Sequence, residues 1–399
     1  MRILRISYEW PPPWIGLPPH IYEVSAHQAK KGHFIDVFCG RWFKAGPVEQ
    51  LPNVRIHTFF RELLPATLLF TTGPVLLIYY LMWRVFNRPD LIHMHGHFGY
   101  WILRYRKLLK KFYKNSTETK IPLVVHFHNN AQARWDKLTE KGSPLKWYTE
   151  KVSFPMEVKA NKLAIELADA YIFVGQDVMD ASIKEYGADP AKCFVVESGV
   201  NTNLFTSVDS NERDKTRKEL GLIFADKVIL NAGFIKERKN IHVLVEALTY
   251  LPIEYKLILM GDGDEKYIDR ITKYVEEHHL ENRVLRIGVS PYREVPYAMQ
   301  VSNIFVLPSY WEGTSKAVLE SLSCGVPVLY SGSKLKDELQ GLFYLKEIDP
   351  KTIAIEIRKI VESEPFVDTN RIRSLFSWDR KVEEIEKVYN HVLEHYKTI

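Results

Sequence analysis

Short apolar runs alternate with longer stretches of helical spacing along most of the chain. In the first half the runs lie at 3–7, 35–39, 91–94, 123–127, 170–174 and 193–196, and in the second at 228–232, 256–260, 284–287, 304–307 and 326–330. Runs this short, separated by helical patterns, are the βαβ rhythm of a doubly wound parallel sheet. Both halves therefore read as Rossmann-like α/β domains. Between them, 201–218 is polar and charged with no sustained apolar period, so a linker is expected there. The expected layout is a first domain at 1–200, a second at 219–375 and a closing segment at 376–399. In that segment Val382, Ile385, Val388, Tyr389 and Val392 fall at helical spacing. The cleft between two such domains is the default ligand site.

Composition supports this division. A chain of 399 residues with 46% hydrophobic content fills two cores, since single cores stop growing well below that length. A net charge of +5 is too mild to imply a nucleic-acid partner. Cys39, Cys193 and Cys324 are an odd, scattered set without zinc spacing, which fits a reducing, cytoplasmic compartment. The first residues enter a strand pattern directly, so no signal peptide is read and the mature chain is expected to start at Met1.

Two segments bear on membranes. The uncharged run 63–83 is long enough to span a bilayer, but Pro65 and Gly73-Pro74 cut it. A span would also separate strands that read as members of one sheet, so a buried or interfacial helix is expected. In 101–114, Trp101, Ile102, Leu103, Leu108, Leu109 and Phe112 interleave with Arg104, Arg106, Lys107, Lys110, Lys111 and Lys114. Such a helix either lies on an anionic membrane surface or packs its apolar side on the sheet, and both readings stay open.

The chemistry concentrates at 307–328. This stretch leaves a buried strand, passes Glu312-Gly313-Thr314-Ser315, opens a helix at Lys316 and ends at Gly325 before the next strand. A strand-to-helix turn presents unpaired N–H groups and a positive dipole end, so an anion is expected there. Glu312 before the helix and Glu320 two turns into it either line one cleft or serve as a helix-start carboxylate and a solvated side chain. Five histidines, His93, His95, His97, His126 and His128, cluster on two strands; they suggest a metal site, but no carboxylate or cysteine accompanies them at a recognisable spacing. Strand-end cleft residues are the preferred reading.

The Glu312 to Glu320 pattern resembles the Glu-x7-Glu signature of retaining family-4 glycosyltransferases of the GT-B fold. Other landmarks recur in order: Pro11-Pro12, Gly16, His20-Ile-Tyr-Glu23, Lys31-Gly32-His33, Ser198-Gly-Val-Asn201 with Phe205, Gly233 through Lys239-Asn-Ile with Leu244, Gly261-Asp-Gly263, and Phe376-Ser-Trp-Asp-Arg380. They span nearly the whole chain. The resemblance implies two Rossmann-like domains with parallel sheets facing across a cleft, a last helix crossing back to the first domain, and a UDP- or GDP-sugar donor. Its acceptor would be a glycan or a lipid-linked sugar, in polysaccharide, lipopolysaccharide or glycolipid assembly, and contact with the inner face of the cytoplasmic membrane is a matching expectation.

By the same resemblance His128 and Glu312 act at the transferring sugar and Glu320 binds ribose hydroxyls. The backbone of Gly313, Thr314, Ser315 and Lys316 meets diphosphate and sugar oxygens, Lys239 neutralises the diphosphate, and Gly16 lets backbone approach the ligand. Asp262-Gly-Asp264 resembles a metal-binding Asp-x-Asp, but its place after a strand of the second domain matches the GT-B turn. No metal and no cofactor beyond the nucleotide-sugar are therefore expected. Two departures stand out. Phe234 replaces a usual arginine, for which Arg238 or Lys316 is expected to compensate. Ile15 and Pro18-Pro19 alter and stiffen the first glycine loop. A non-catalytic nucleotide-sugar binder and a GT-B epimerase stay open as alternatives.

Overall fold

The computed structural model describes residues 1–12, 14, 16–41, 46–60, 68–113, 116–140, 146–310, 312 and 315–397. The chain divides into two compact units, Met1–Glu197 with Lys381–Ile399, and Ser198–Arg380.

The first unit runs β1 (Arg2–Ser7), α1 (Pro18–Lys30), β2 (Phe34–Arg41), β3 (Val54–Phe60), α2 (Leu68–Phe86), β4 (Leu91–His95), α3 (Tyr100–Phe112), β5 (Leu123–Phe127), α4 (Ala131–Glu140), α5 (Phe154–Leu167), β6 (Ala170–Phe173), α6 (Gln176–Tyr186) and β7 (Cys193–Val195). The strands form one parallel sheet in the order β3-β2-β1-β4-β5-β6-β7. Leu4, Ile6, Ile92, Met94, Leu123 and Val125 are fully buried between sheet and helices. Strand order reverses between β1 and β4, so the loops after these two strands splay apart and leave a crevice, the usual ligand position in open α/β sheets. Pro18 and Pro19, expected to stiffen a loop, instead open α1, where a missing N–H costs nothing.

The apolar run at 63–83 is not cut at Gly73-Pro74: α2 continues through both, while Pro65 lies outside the described residues. Gly73 is a notch for Trp101 of α3, whose indole N–H donates to the Leu69 carbonyl, and a Cβ at Gly73 would stand 2.4 Å from that ring. Phe70, whose carbonyl loses its helical partner to Pro74, is exposed. By length and composition α2 is apolar enough to cross a membrane, yet β3 before it and β4 after it belong to one sheet. It packs on that sheet by its Leu76, Tyr80 and Trp83 side.

The second unit runs α7 (Ser210–Glu219), β8 (Lys227–Ala232), α8 (Ile241–Ala247), β9 (Tyr255–Met260), α9 (Glu265–Glu277), β10 (Val284–Gly288), α10 (Val295–Gln300), β11 (Ile304–Leu307), α11 (Lys316–Ser323), β12 (Val328–Tyr330), β13 (Leu342–Tyr344), α12 (Pro350–Ser363) and α13 (Thr369–Phe376). Its parallel sheet has the order β10-β9-β8-β11-β12-β13, with the reversal between β8 and β11. The stretch expected as a bare linker carries α7. Asp209 caps that helix by accepting from the Glu212 N–H at 2.9 Å, and the buried Arg217 donates to the Val301 carbonyl at 2.8 Å, so a polar sequence is held by a cap and a tether instead of an apolar stripe. The last helix, α14 (Trp378–Lys397), belongs to the first unit from Lys381 onward, and there it buries Val382, Ile385, Val388, Tyr389 and Val392.

Candidate active site

In the second unit the two loops at the strand reversal lie against each other. After β8 the chain turns at Gly233, whose φ of 133° few side chains tolerate, and a 3-10 turn at Glu237–Lys239 follows. The turn after β9 is zipped onto this loop: Ile235 N–H donates to Asp262 O and Asp264 N–H to Ile235 O, each at 2.9 Å. A Cβ on Gly261 would fall 2.2 Å from the Gly233 carbonyl oxygen, and one on Gly263 1.8 Å from that of Ile235. Backbone-to-backbone packing, rather than a ligand, explains this Gly-x-Gly. Asp262 accepts from the Gly263 N–H and Asp264 caps α9 through the Tyr267 N–H, so each carboxylate already has a local backbone partner.

The loop after β11 carries Glu312. Arg238 donates to its Oε2 at 2.7 Å, Ser309 reaches the same oxygen at 3.3 Å, and Ser333 holds the Glu312 carbonyl with both its N–H and its hydroxyl. Asn240, in left-handed backbone conformation, donates to the Pro308 carbonyl at 3.0 Å, and Arg238 O accepts from the Tyr310 N–H at 2.8 Å. The two loops are thereby clamped. Burial opposes ionisation of Glu312, but Lys239, then Arg238 and Lys236, outweigh it and hold its pKa below the ordinary glutamate value. Lys239 is 8% exposed; burial lowers its pKa while the Glu312 charge opposes that shift. Arg238 and Lys239 thus face one carboxylate, although neighbours in sequence need not converge. Phe234, at the place of the missing arginine, is half exposed, with Lys236 Nζ 5.5 Å from its ring centroid.

Helix α11 begins at Lys316 after Ser315, with no acidic residue in its first turn and no side-chain cap from Ser315. Glu320, read as solvated or cleft-lining, is buried, and Tyr292 OH donates to it at 3.4 Å. Gly313 and Thr314, like Ile15 of the first glycine loop, lie outside the described residues.

In the first unit, His93 and His95 on β4, His126 on β5 and His128 just beyond it face one side of the sheet, with His95 paired to His126 in register. His20 of α1 covers them, its ring centroid 4.7 Å from that of His128 and 5.0 Å from that of His126. His95 Nδ1 and His128 Nε2 share a hydrogen bond of 3.0 Å, and His93 Nδ1 meets the Tyr389 hydroxyl at 2.5 Å. Burial pushes His93, His95 and His126 well below the ordinary histidine pKa, reinforced by neighbouring imidazoles and by Arg5, so all three are neutral. His97 stacks on Tyr8 instead of joining this group. His20 entered the sequence reading only within the landmark His20-Ile-Tyr-Glu23 and Tyr389 only as an apolar position of the last helix; neither was given a place at the site, and the fold brings both to the histidines.

His20, His95, His126 and His128 bring nitrogens within 4.8 Å of one another, a spacing a metal ion can use. The set is all imidazole, with no carboxylate, and it sits in the field of the buried Arg5 guanidinium, whose hydrogen-bond partners Ser25, Gln28 and Tyr389 are all neutral. With no carboxylate bonded to Arg5 among the described residues, its positive charge opposes a dication. Next to the cluster is a cavity of about 350 Å³ at the first strand reversal, walled by Tyr8, His97, His128, Asn129, Arg134 and Asn161 among polar groups and by Leu17, Leu68, Leu69 and Met156 among apolar ones. Arg134 pairs with Glu157 there, and its guanidinium lies 4.9 Å from the Phe154 ring centroid. Gly16 has a φ of 75°, and a Cβ there would meet nothing within 4 Å.

Two parallel-sheet units, each with polar and charged side chains gathered at its strand reversal, are the architecture expected of the GT-B fold. The pattern described as Glycosyltransferase Family 4 matches residues 15–204, and that of glycosyl transferases group 1 matches residues 212–372. The chain belongs to the family-4 glycosyltransferases of the GT-B fold. It is 28% identical over 284 residues, 67% of this chain and 69% of the relative, to the Escherichia coli UDP-Gal:alpha-D-GlcNAc-diphosphoundecaprenol alpha-1,3-galactosyltransferase. It is 24% identical over 418 residues, 96% of this chain and 88% of the relative, to the D-inositol 3-phosphate glycosyltransferase of Salinispora arenicola. Among solved structures, sucrose-phosphate synthase from Thermosynechococcus elongatus matches with TM-score 0.81 at 20% identity, covering 99% of both chains. Anabaena HepE in complex with UDP and glucose matches with TM-score 0.70 at 16% identity, over 98% of this chain and 99% of that one.

Proposed function

We propose that this chain moves a sugar from a UDP- or GDP-linked donor to a glycan or lipid-linked acceptor with retention of the anomeric configuration, in the cytoplasm at the inner face of the membrane. The observation that carries the donor reading is the Arg238–Glu312 ion pair at 2.7 Å, with Lys239 and Lys236 also favouring the Glu312 charge, ahead of the start of α11. A departing nucleoside diphosphate develops negative charge, and cations and N–H groups fixed where that charge appears lower the barrier most. Lys239, Arg238 and Lys316, with the backbone of 313–316, take the diphosphate. Glu320 takes the ribose hydroxyls, Glu312 and His128 contact the transferring sugar, and Gly16 leaves room for the ligand's approach.

The cavity at the first strand reversal takes the acceptor. Arg134, Asn129 and Asn161 suit sugar or phosphate oxygens, and the leucine and methionine wall suits the start of a lipid. The Escherichia coli relative is named for a diphosphoundecaprenol-linked sugar, which supports the lipid-linked choice. Transfer proceeds without metal, because lysine and arginine supply the positive charge and Asp262 and Asp264 are bonded to local backbone.

A panel of UDP-, GDP- and ADP-sugars tests this reading. Release of one nucleoside diphosphate, unchanged by EDTA, with an α-linked product from an α-linked donor, is the expected result. Interconversion of the sugar without release identifies an epimerase, and binding without either identifies a non-catalytic protein.

A further inference from the structure

One hydrogen bond of the histidine cluster decides what His128 offers a ligand. His128, just beyond β5, is half-buried and lines the cavity at the first strand reversal. His95, the last residue of β4, is fully buried and has no surface to offer a ligand. Strand alternation sets His126 and His128 on the same face, and the register of β4 with β5 puts His95 opposite His126. From there His95 Nδ1 reaches His128 Nε2 at 3.0 Å. His126 stacks on His128 with ring centroids 4.5 Å apart and 13° between the planes, but neither nitrogen of His126 has a hydrogen-bond partner among the described residues. It packs against His128 without fixing the place of its proton.

A hydrogen bond between two neutral imidazoles uses one N–H and one lone pair, so it couples their tautomers. His95 Nε2 is buried and has no partner among the described residues. A proton carried there would leave a buried N–H unpaired, the less tolerated of the two orphans. With the proton on Nδ1 the orphan is a lone pair instead, and the N–H is used on His128. Burial, then the neighbouring imidazoles and Arg5, keep His95 from taking a second proton. We infer that His95 is a positioning residue: it donates its Nδ1–H to His128 Nε2 and so fixes the proton of His128 on Nδ1.

With Nε2 engaged as an acceptor, His128 has an N–H donor, and no spare basic lone pair, for a bound ligand. It can hold a sugar oxygen, but it takes no proton from one while it keeps the bond to His95. A donor whose direction is set before the ligand arrives needs no reorganisation at the moment of reaction. This role at the transferring sugar rests on the function proposed above, whereas the tautomer itself does not.

Long-range proton–nitrogen NMR of the full chain, labelled with nitrogen-15 histidine and with no donor added, reads the tautomer directly, His128 being assigned by the signals that His128→Gln removes. The expected pattern is a bare Nε2 coupled to both ring C–H protons and a protonated Nδ1 coupled mainly to Hε1. In the donor panel, His95→Leu is expected to lower kcat/KM by about fivefold to tenfold, the worth of one neutral hydrogen bond. His95→Asn, which sets an amide N–H one bond beyond Cγ, where His95 has Nδ1, restores most of that rate. Circular dichroism and UDP or GDP affinity stay unchanged in both variants, because the proposed diphosphate site is built by the second unit. A His128 proton on Nε2, a rate untouched by His95→Leu, or His95→Asn as slow as His95→Leu overturns the inference. The spectrum of the unaltered chain decides the tautomer even where a His95 variant fails to fold. A chain that turns over no donor yet holds the His128 proton on Nδ1 refutes the proposed function and leaves the tautomer assignment standing.

Discussion

Glu312→Gln separates an ion-pair role from a donor-binding one. Glu312 is the carboxylate that Arg238 pairs with at 2.7 Å and whose charge the nearly buried Lys239 favours. Removing one member of a fully buried pair costs about 3–5 kcal/mol, because the remaining charge has no counter-ion. The Arg238 and Glu312 side chains keep 20% and 16% of their surface in contact with solvent, so water screens part of the loss, and about 2 kcal/mol is the better figure. For a unit of this size that lowers the melting temperature by about 4–8 °C. A nucleoside diphosphate placed against the same cations restores a counter-charge. Saturating UDP or GDP, whichever the protein binds, therefore raises the melting temperature of Glu312→Gln by more than it raises that of the unaltered protein. Differential scanning calorimetry with and without nucleotide reads both numbers. Equal melting temperatures in the free state, or equal nucleotide protection, would refute the placement of the diphosphate at Arg238 and Lys239.

Lys239→Ala and Lys316→Ala are both expected to weaken donor binding, each by about 10- to 100-fold as for loss of a charged hydrogen bond; titration calorimetry showing Lys316→Ala unchanged would leave Arg238 as the group that offsets Phe234. Gly261→Ala drives a Cβ to 2.2 Å from the Gly233 carbonyl at a φ of 126° and should cost about 3 kcal/mol or more, whereas Gly16→Ala, strained but open, costs about 1 kcal/mol; urea denaturation distinguishes them. The buried neutral histidines make stability depend on pH: with folded pKa values of His93, His95 and His126 below the ordinary value, the unfolded chain binds more protons once pH falls below about 6.5. Stability contributed by these groups is complete above that pH and is lost progressively as pH drops toward their folded values. A urea midpoint flat between pH 8 and 7 and falling from 6.5 to 5 is expected, and a midpoint that does not fall contradicts their burial as neutral groups.

Much of this architecture was written in the chain because parallel strands buried on both faces read as apolar runs. β5 and β11 were bounded to the residue, and most others to within one or two. The two strands that escaped sit at sheet edges. β3 breaks its run with Arg55, His57 and Thr58 and buries only Val54, and β13 is the short run Leu342-Phe343-Tyr344 with no fully buried position. Helix α2 escaped its breakers because Gly73 serves packing by Trp101, a contact 28 residues away that no local rule contains. The same holds for the site. Glu312, Lys316 and Glu320 were singled out at a strand-to-helix turn and His128 at a strand end, while the roles proposed for them come from the family resemblance. The approach of Arg238 to Glu312, the cover of His20 over the histidines, and the seating of Tyr389 beside His93 depend on contacts between distant segments.

The most direct test of a nucleotide-sugar transferase with its diphosphate site at Lys239 is nucleoside diphosphate release from a UDP-, GDP- and ADP-sugar panel by the unaltered protein and by Lys239→Ala. One donor should be turned over, and the substitution should reduce its turnover by at least about 100-fold through loss of charge stabilisation that is greatest in the transition state. Turnover of no donor, or turnover unaffected by Lys239→Ala, would contradict it.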